Sequence, residues 1–209
     1  MQEIGFSEVT ILPASASLFD DESTKIKLAR RLNGVLNEME LEAEAWLCHT
    51  KNRDSESLKN LMSSAQLSQS LLSFLHNKKK QHACAAGLKF VGVSCSGDIY
   101  LCHRFVGMDD YKLGNVFIKD LDRKKYQESP VTQVEECTNC FARYYCAGGC
   151  KHDNASSCGS AFKPSADICR LKRREVELAA AIVCMFDDKD RAFLNEYKVF
   201  PPKPCPLDF

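Results

Sequence analysis

The chain has 209 residues, of which 44% are hydrophobic, and its 28 Lys and Arg residues balance 28 Asp and Glu residues. This length fits one domain or two small ones, and a net charge of zero gives no support for a nucleic-acid-binding surface. No run of about eighteen apolar residues and no signal-peptide pattern occurs, so we expect neither a membrane span nor secretion. The twelve cysteines are therefore expected to bind metal in the cytoplasm rather than to form disulfides.

The first eighty residues are poor in cysteine and predict one strand followed by two helices. The β-branched run Val9–Leu12, closed by a proline, predicts a short strand. A long helix is predicted from Asp20 or Ser23, either of which is a suitable N-cap, to about Cys48, because apolar residues recur there every three or four positions. A second apolar stripe predicts another helix over residues 58–75.

The composition changes near residue 81, and eleven of the twelve cysteines follow. Residues 87–94 and 99–102 are rich in β-branched and aromatic residues and flank a Gly-Asp turn, a pattern that predicts a β-hairpin. Cys84 precedes the first strand and Cys102 ends the second. Antiparallel pairing would bring both thiols to the same end of the hairpin, where they can bind one cluster.

Four further cysteines fall within the fourteen residues 137–150, in the order C-x2-C-x5-C-x3-C. A CxxC places two sulfurs on one tight turn, where they can share a metal atom or an iron–sulfur cluster. Gly148 and Gly149 directly precede the last of these cysteines. A backbone that folds around a cluster needs conformations that only glycine adopts at low cost, so this motif predicts a metal or iron–sulfur site.

The remaining elements are a short polar helical stretch at about 119–128, a Gly/Ser-rich loop after residue 154, and a final helix. Asp167 is a suitable N-cap for that helix, in which apolar residues repeat at helical spacing over 168–186. Cys169 lies in its first turn, where the helix dipole lowers a thiol pKa and stabilises an anionic cluster. The predicted fold is α+β and helix-rich, with a small cysteine-bracketed β-hairpin and irregular cluster-binding loops.

Seven cysteines and one glycine together form a specific pattern: Cys84-x12-Gly97-x4-Cys102, then the motif at 137–150, then Cys169. This pattern resembles the SPASM domain, the auxiliary iron–sulfur domain of radical S-adenosylmethionine enzymes that modify peptides and proteins. The resemblance covers residues 81–186. It implies that residues 1–80 are the end of a partial barrel with linking helices, and that residues 187–209 form a C-terminal tail.

The resemblance also implies two [4Fe–4S] clusters and their ligands. The first auxiliary cluster would be bound by Cys84, Cys102 and Cys150, and the second by Cys137, Cys140, Cys146 and Cys169. The fourth iron of the first cluster would either be open to a substrate thiolate or be bound by Cys95 or Cys158. Within this family, the short sequence segments at 102–107, 113–116 and 146–152 resemble those of maturases that build thioether crosslinks in small peptides.

The resemblance implies that the clusters bind or orient a peptide or small protein, or accept an electron from a substrate radical. Its expected partners are that substrate and a radical S-adenosylmethionine core, present as a domain or as a separate chain. The same thiols suit a second interpretation, a zinc-binding structural or peptide-recognition module without redox activity.

The CxxxCxxC loop that cleaves S-adenosylmethionine does not occur in these 209 residues. We therefore expect S-adenosylmethionine to be a cofactor only of a full-length enzyme or of an assembly with a partner domain. Reconstituted and reduced protein, incubated with S-adenosylmethionine, should release no 5′-deoxyadenosine by chromatography. Release of this product in proportion to the protein would contradict the expectation.

Overall fold

The computed structural model describes residues 22–64 and 67–196, and these residues form helices and one small sheet. The helices are α1 (Glu22–Lys51), α2 (Ser55–Ser64), α3 (Ser68–Leu75), α4 (Lys124–Gln127), α5 (Arg143–Cys146), α6 (Lys151–Cys158), α7 (Ala166–Met185) and α8 (Asp188–Glu196). The predicted strand at 9–12 and the proline-rich tail lie outside the described residues. No helix in the described ranges is long and apolar enough to cross a membrane.

The sheet has four antiparallel strands in the order β1-β2-β3-β4. The strands are β1 (Gly92–Val93), β2 (Asp98–Tyr100), β3 (Lys112–Asn115) and β4 (Ile118–Leu121). The predicted hairpin is confirmed by the pairing of β1 with β2, although its strands are shorter than the sequence indicates. The chain is therefore α+β, as predicted.

The described residues form two compact units. The first combines the chain before Lys80 with the chain from Ala166 onward, and the second contains residues 80–165. The helix α7, at the end of the module predicted at 81–186, thus packs within the first unit. The second unit contains the sheet and six of the seven cysteines in the pattern described above.

The first unit is held together by the apolar stripe of α1, which packs against α2 and α7. Trp46 is fully buried in a cluster with Leu58 of α2, Leu71 of α3 and Ile182 of α7. Burying an aromatic side chain of this size stabilises the fold by several kcal/mol at about 25 cal/mol per Å². In the span where the sequence predicts one second helix, the structure describes two, α2 and α3.

Three predicted boundaries near the cysteines are wrong. The stretch at 119–128 is helical only over α4, because its first residues belong to β4, which pairs with β3. The predicted loop after residue 154 begins later, because α6 continues to Cys158 and ends at Gly159 in a left-handed conformation with φ 72°. The helix α7 begins at Ala166, so Asp167 lies in its first turn and is not the N-cap.

The helix α8 was not predicted and begins with a reciprocal cap. The backbone N–H of Asp190 donates to the Asp187 carboxylate at 2.8 Å, and the N–H of Asp187 donates to the Asp190 carboxylate at 3.0 Å. Two acidic residues three positions apart in the sequence are typical of this arrangement at the start of a helix. Their carboxylates accept hydrogen bonds from backbone N–H groups that have no partner within the helix. The fully buried Asp190 carboxylate also pairs with Lys51 and with Arg53, the latter at 2.6 Å.

Replacing Asp190 by Asn should lower the free energy of unfolding by about 1.5–3 kcal/mol, the range for hydrogen bonds to charged groups. Burial raises the pKa of Asp190, but the contacts with Lys51, the Asp187 N–H and Arg53 outweigh it and lower the pKa from 3.8 to about 2. The stability that the ionised carboxylate confers is therefore present above pH 4 and lost as the pH falls towards 2. Urea unfolding at several pH values measures both effects.

The matched control is Asp188→Asn, because Asp188 is exposed in the same turn of α8. This variant should unfold like the wild type at neutral pH. Equal unfolding free energies for Asp190→Asn and the wild type would contradict the assigned role of the buried carboxylate.

Candidate functional site

Three cysteines that are distant in sequence lie at one place in the second unit. The pairing of Gly92 with Tyr100 brings the chain before β1 and the chain after β2 to the same end of the hairpin. Cys84 and Cys102 pack in one hydrophobic cluster, and the thiols of Cys84 and Cys150 both act electrostatically on Cys102. The N-cap of α6 is Cys150, so a helix start supplies the third thiol. The predicted convergence of Cys84 and Cys102 is therefore present.

Cys102 is the most buried of the three, with 7% of its surface exposed. Burial raises the pKa of the Cys102 thiol, and the nearby thiols of Cys150 and Cys84 raise it further. The backbone N–H groups of Arg104 and Phe105, at the start of a short 3-10 helix, act in the opposite direction. Hydrogen bonds from N–H groups to sulfur are among the interactions that tune iron–sulfur sites.

Cys102 also lies against the backbone of β1, and Gly92 permits this approach. A Cβ atom at Gly92 would lie 2.6 Å from the carbonyl carbon and oxygen of Cys102, far closer than van der Waals contact. The absence of a side chain at Gly92 therefore determines how closely β1 approaches the segment that carries Cys102.

A turn of left-handed residues positions Cys150. Ala147, Gly148 and Gly149 have φ values of 55°, 89° and 75°, a region that glycine adopts without strain. The predicted glycine conformation before Cys150 is confirmed. The buried Asn154 side chain holds this turn, because its amide nitrogen donates to the carbonyl of Gly148 at 2.9 Å.

Two cations accompany the three thiols. Arg104 donates from Nη1 to the Cys150 sulfur at 3.3 Å, and its Nη2 pairs with Asp153 at 2.7 Å. Lys151 is buried, with 8% of its surface exposed, and its Nζ lies 5.4 Å from the centre of the Phe162 ring. Burial lowers the pKa of Lys151, whereas the Cys84 and Cys150 thiols raise it. A positive charge beside these sulfurs favours thiolate over neutral thiol.

Sequence analysis did not single out Arg104 and Lys151. Their positions in the sequence could have identified them, because Arg104 follows Cys102 by two residues and Lys151 directly follows Cys150. The neighbouring histidines differ in their surroundings. His103 is exposed, whereas His152 packs edge-on against the Phe105 ring at 5.1 Å, and burial, followed by Arg104, lowers its pKa.

Three cysteines of the second predicted set also lie in the second unit. The N–H of Cys140 donates to the carbonyl of Cys137 at 3.0 Å, so the CxxC forms a tight turn as expected. Cys137 is buried against Ala147, and Cys146 ends α5 immediately before that residue. The fourth member, Cys169, lies in the first turn of α7 and belongs to the first unit.

The two candidates for a fourth ligand of the first set lie elsewhere in the second unit. Cys95 is exposed in the turn between β1 and β2, at the end of the hairpin opposite to Cys102. Cys158 is the last residue of α6, eight residues after Cys150 and therefore about 12 Å along the helix axis.

Within the described part of the chain, no group of three or more His, Cys, Asp or Glu side chains is arranged to hold a single metal ion. No protein-family model matches the sequence, and no curated protein is similar enough to count as a relative.

The close approach of β1 to Cys102 gives a direct test. Gly92→Ala should lower the free energy of unfolding by about 1–3 kcal/mol, the range for overpacking, because backbone atoms of Cys102 must move. Gly34→Ala is the control, since a Cβ there meets nothing within 4 Å and alanine favours the helix α1. Thermal and urea unfolding report both variants, and wild-type stability for Gly92→Ala would contradict the packing described here.

Proposed function

We propose that this chain is the auxiliary-cluster portion of a radical S-adenosylmethionine enzyme that modifies a peptide or small protein after translation. Its fold would be of the SPASM or twitch type, carrying two [4Fe–4S] clusters. The modification proposed is a thioether crosslink, because the short strings around the cysteines resemble those of such maturases, including the quinohemoprotein amine dehydrogenase maturation protein.

The observation that carries the proposal is the convergence of Cys84, Cys102 and Cys150. Cys84 precedes β1, Cys102 follows β2 and caps a short 3-10 helix, and Cys150 is the N-cap of α6. Burial raises the pKa of Cys102, and the thiols of Cys150 and Cys84 raise it further. Thiols this close repel one another once ionised, and a bound metal or cluster removes that cost by taking thiolates as ligands. The family resemblance of the cysteine pattern groups the same three residues.

The charges around these thiols fit an anionic cofactor. Lys151 is buried and forms no ion pair with a carboxylate among the described residues, and burial lowers its pKa because a buried ammonium without a counter-charge is costly. Iron–sulfur clusters bound by thiolates are anionic, so a cluster at Cys84 and Cys150 would supply the missing negative charge. Arg104 would contribute a charged donor to the Cys150 sulfur, an interaction that stabilises thiolate over thiol.

For the second cluster we propose Cys137, Cys140, Cys146 and Cys169, as the resemblance implies. The tight turn of the CxxC and the burial of Cys137 support the first three. Cys169, the fourth proposed ligand, belongs to the first compact unit.

For the first cluster we propose three protein thiols and one iron open to substrate. The positions of Cys95 and Cys158 support this choice, because neither accompanies the other three thiols. In this role the cluster supplies electron transfer or a binding position for a substrate thiolate. The chain itself orients the ligand thiolates, shields Cys102 from water and donates N–H groups to its sulfur.

Anaerobic reconstitution should yield about eight irons and eight sulfides per chain, with the broad visible absorption of iron–sulfur proteins. Cys102→Ser should reduce the iron content by about half, because only the first cluster loses a ligand. Cys140→Ser should reduce it by a similar amount through the second cluster. Iron and sulfide analysis with the visible spectrum measures all three proteins.

The control variant is Cys48→Ser, because Cys48 is exposed on α1 outside both predicted sets. It should bind the same amount of iron as the wild type. Colourless protein that binds zinc with no sulfide would overturn the proposal in favour of a structural zinc module.

A further inference from the structure

The Arg104 guanidinium connects two of the three segments that carry the converging thiols. Arg104 lies in the short 3-10 helix His103–Phe105, directly after Cys102. Its Nη1 donates to the Cys150 sulfur at 3.3 Å, and its Nη2 lies 2.7 Å from the carboxylate of Asp153. Asp153 belongs to the first turn of α6, the helix that Cys150 caps. One side chain therefore joins the segment after β2 to the start of α6.

The contact with sulfur distinguishes Arg104 from an ordinary surface ion pair. The side chain of Arg104 is 36% exposed, and an ion pair as exposed as this one contributes little to stability. A neutral thiol is a weak hydrogen-bond acceptor, whereas a negatively charged sulfur forms a strong, charge-assisted bond with a guanidinium. An arginine side chain is always protonated in proteins, so this donor carries a full positive charge. The contact is therefore suited to a Cys150 sulfur that binds an anionic cluster.

We propose that Arg104 raises the reduction potential of the cluster held by Cys84, Cys102 and Cys150 through its hydrogen bond to the Cys150 sulfur. This inference rests on the proposed function, and Arg104 is a positioning residue that acts through a ligand. Reduction adds one electron to a [4Fe–4S]²⁺ cluster and gives [4Fe–4S]⁺, with no bond made or broken. A charged donor to a ligand sulfur stabilises the more negative product, so the potential rises.

Asp153 limits the size of this effect. Its carboxylate accepts from the same guanidinium at 2.7 Å and offsets part of the positive charge. The carboxylate also fixes the orientation of the guanidinium, because the two Nη atoms serve Asp153 and Cys150 together. Changes at Arg104 and at Asp153 should therefore move the potential in opposite directions.

The test is an EPR-monitored titration of the reconstituted protein, in which dithionite supplies the electrons. In Arg104→Met, which removes the charge and the donor, the ratio of reduced to oxidised first cluster at a fixed solution potential should fall about threefold. For a one-electron couple this corresponds to a shift of about 28 mV to more negative potential. The second cluster should titrate as in the wild type and serves as an internal reference.

Lys112→Met is the matched control. The Lys112 ammonium pairs with Asp98 at 2.6 Å, and its side chain is 41% exposed, close to the value for Arg104. Asp98 begins β2, at the end of the hairpin opposite to Cys102. Removing this charge should leave both potentials unchanged. A shift as large as that of Arg104→Met would overturn the assignment of the effect to the Cys150 contact.

Two further variants keep the inference testable if Arg104→Met does not fold. In Asp153→Asn the guanidinium charge is no longer offset, so the potential of the first cluster should become more positive. An unchanged or lower potential would overturn the inference. Arg104→Lys keeps the charge but has a single ammonium in place of the fork of donors, so its potential should lie between those of wild type and Arg104→Met. A shift beyond that of Arg104→Met would contradict the role of the charge.

The inference and the proposed function fail in different ways. A wild-type potential in folded Arg104→Met, with about eight irons per chain, would overturn the role of Arg104 and leave the cluster assignment intact. Absence of iron and sulfide from the wild-type protein would overturn the proposed function itself, and the inference with it.

Discussion

The burial of Cys102 among neighbouring thiols is the constraint on which the candidate site depends. Burial raises the pKa of the Cys102 thiol, and the thiols of Cys150 and Cys84 raise it further. Without opposite charge such an arrangement favours neutral thiols, which are poor ligands. The fold places Lys151 and Arg104 beside these sulfurs, and N–H groups at the start of a 3-10 helix support Cys102.

The backbone around these thiols is determined by residues that carry no functional group. Gly92 lets β1 approach the carbonyl of Cys102, and the left-handed turn ending at Gly149 returns the chain from α5 to the start of α6. Asn154 holds that turn from the first residues of α6. Each thiol therefore lies in a different local structure. Substitutions of residues that carry no sulfur, such as Gly92 and Asn154, are therefore expected to alter the site.

Local patterns in the sequence were sufficient for the long helices, the hairpin and the glycine turn. The apolar stripe around Trp46 and the Gly-Asp turn each encode an element through neighbouring residues. The pairing of β3 with β4 depends on contacts between strands, which the local sequence does not encode. The first residues of the stretch at 119–128 were therefore assigned to a helix instead of to β4. The cap of α8 was visible as Asp187 and Asp190, but its significance depends on the burial of Asp190 against two distant cations.

The candidate site likewise combines features that the sequence predicts with features that only the structure shows. The resemblance of the cysteine pattern to a known family was enough to group the three thiols, whereas the burial of Lys151 and the contact of Arg104 with the Cys150 sulfur depend on the folded chain. Sequence shows that a lysine follows Cys150 but not that the surrounding chain excludes solvent from it.

The most direct measurement is anomalous diffraction at the iron absorption edge from crystals of the anaerobically reconstituted protein. The account predicts a four-iron peak bonded to the sulfurs of Cys84, Cys102 and Cys150, separate from a second four-iron peak at Cys137, Cys140, Cys146 and Cys169. A crystal whose only metal is zinc, or whose iron lies away from these three sulfurs, would contradict it.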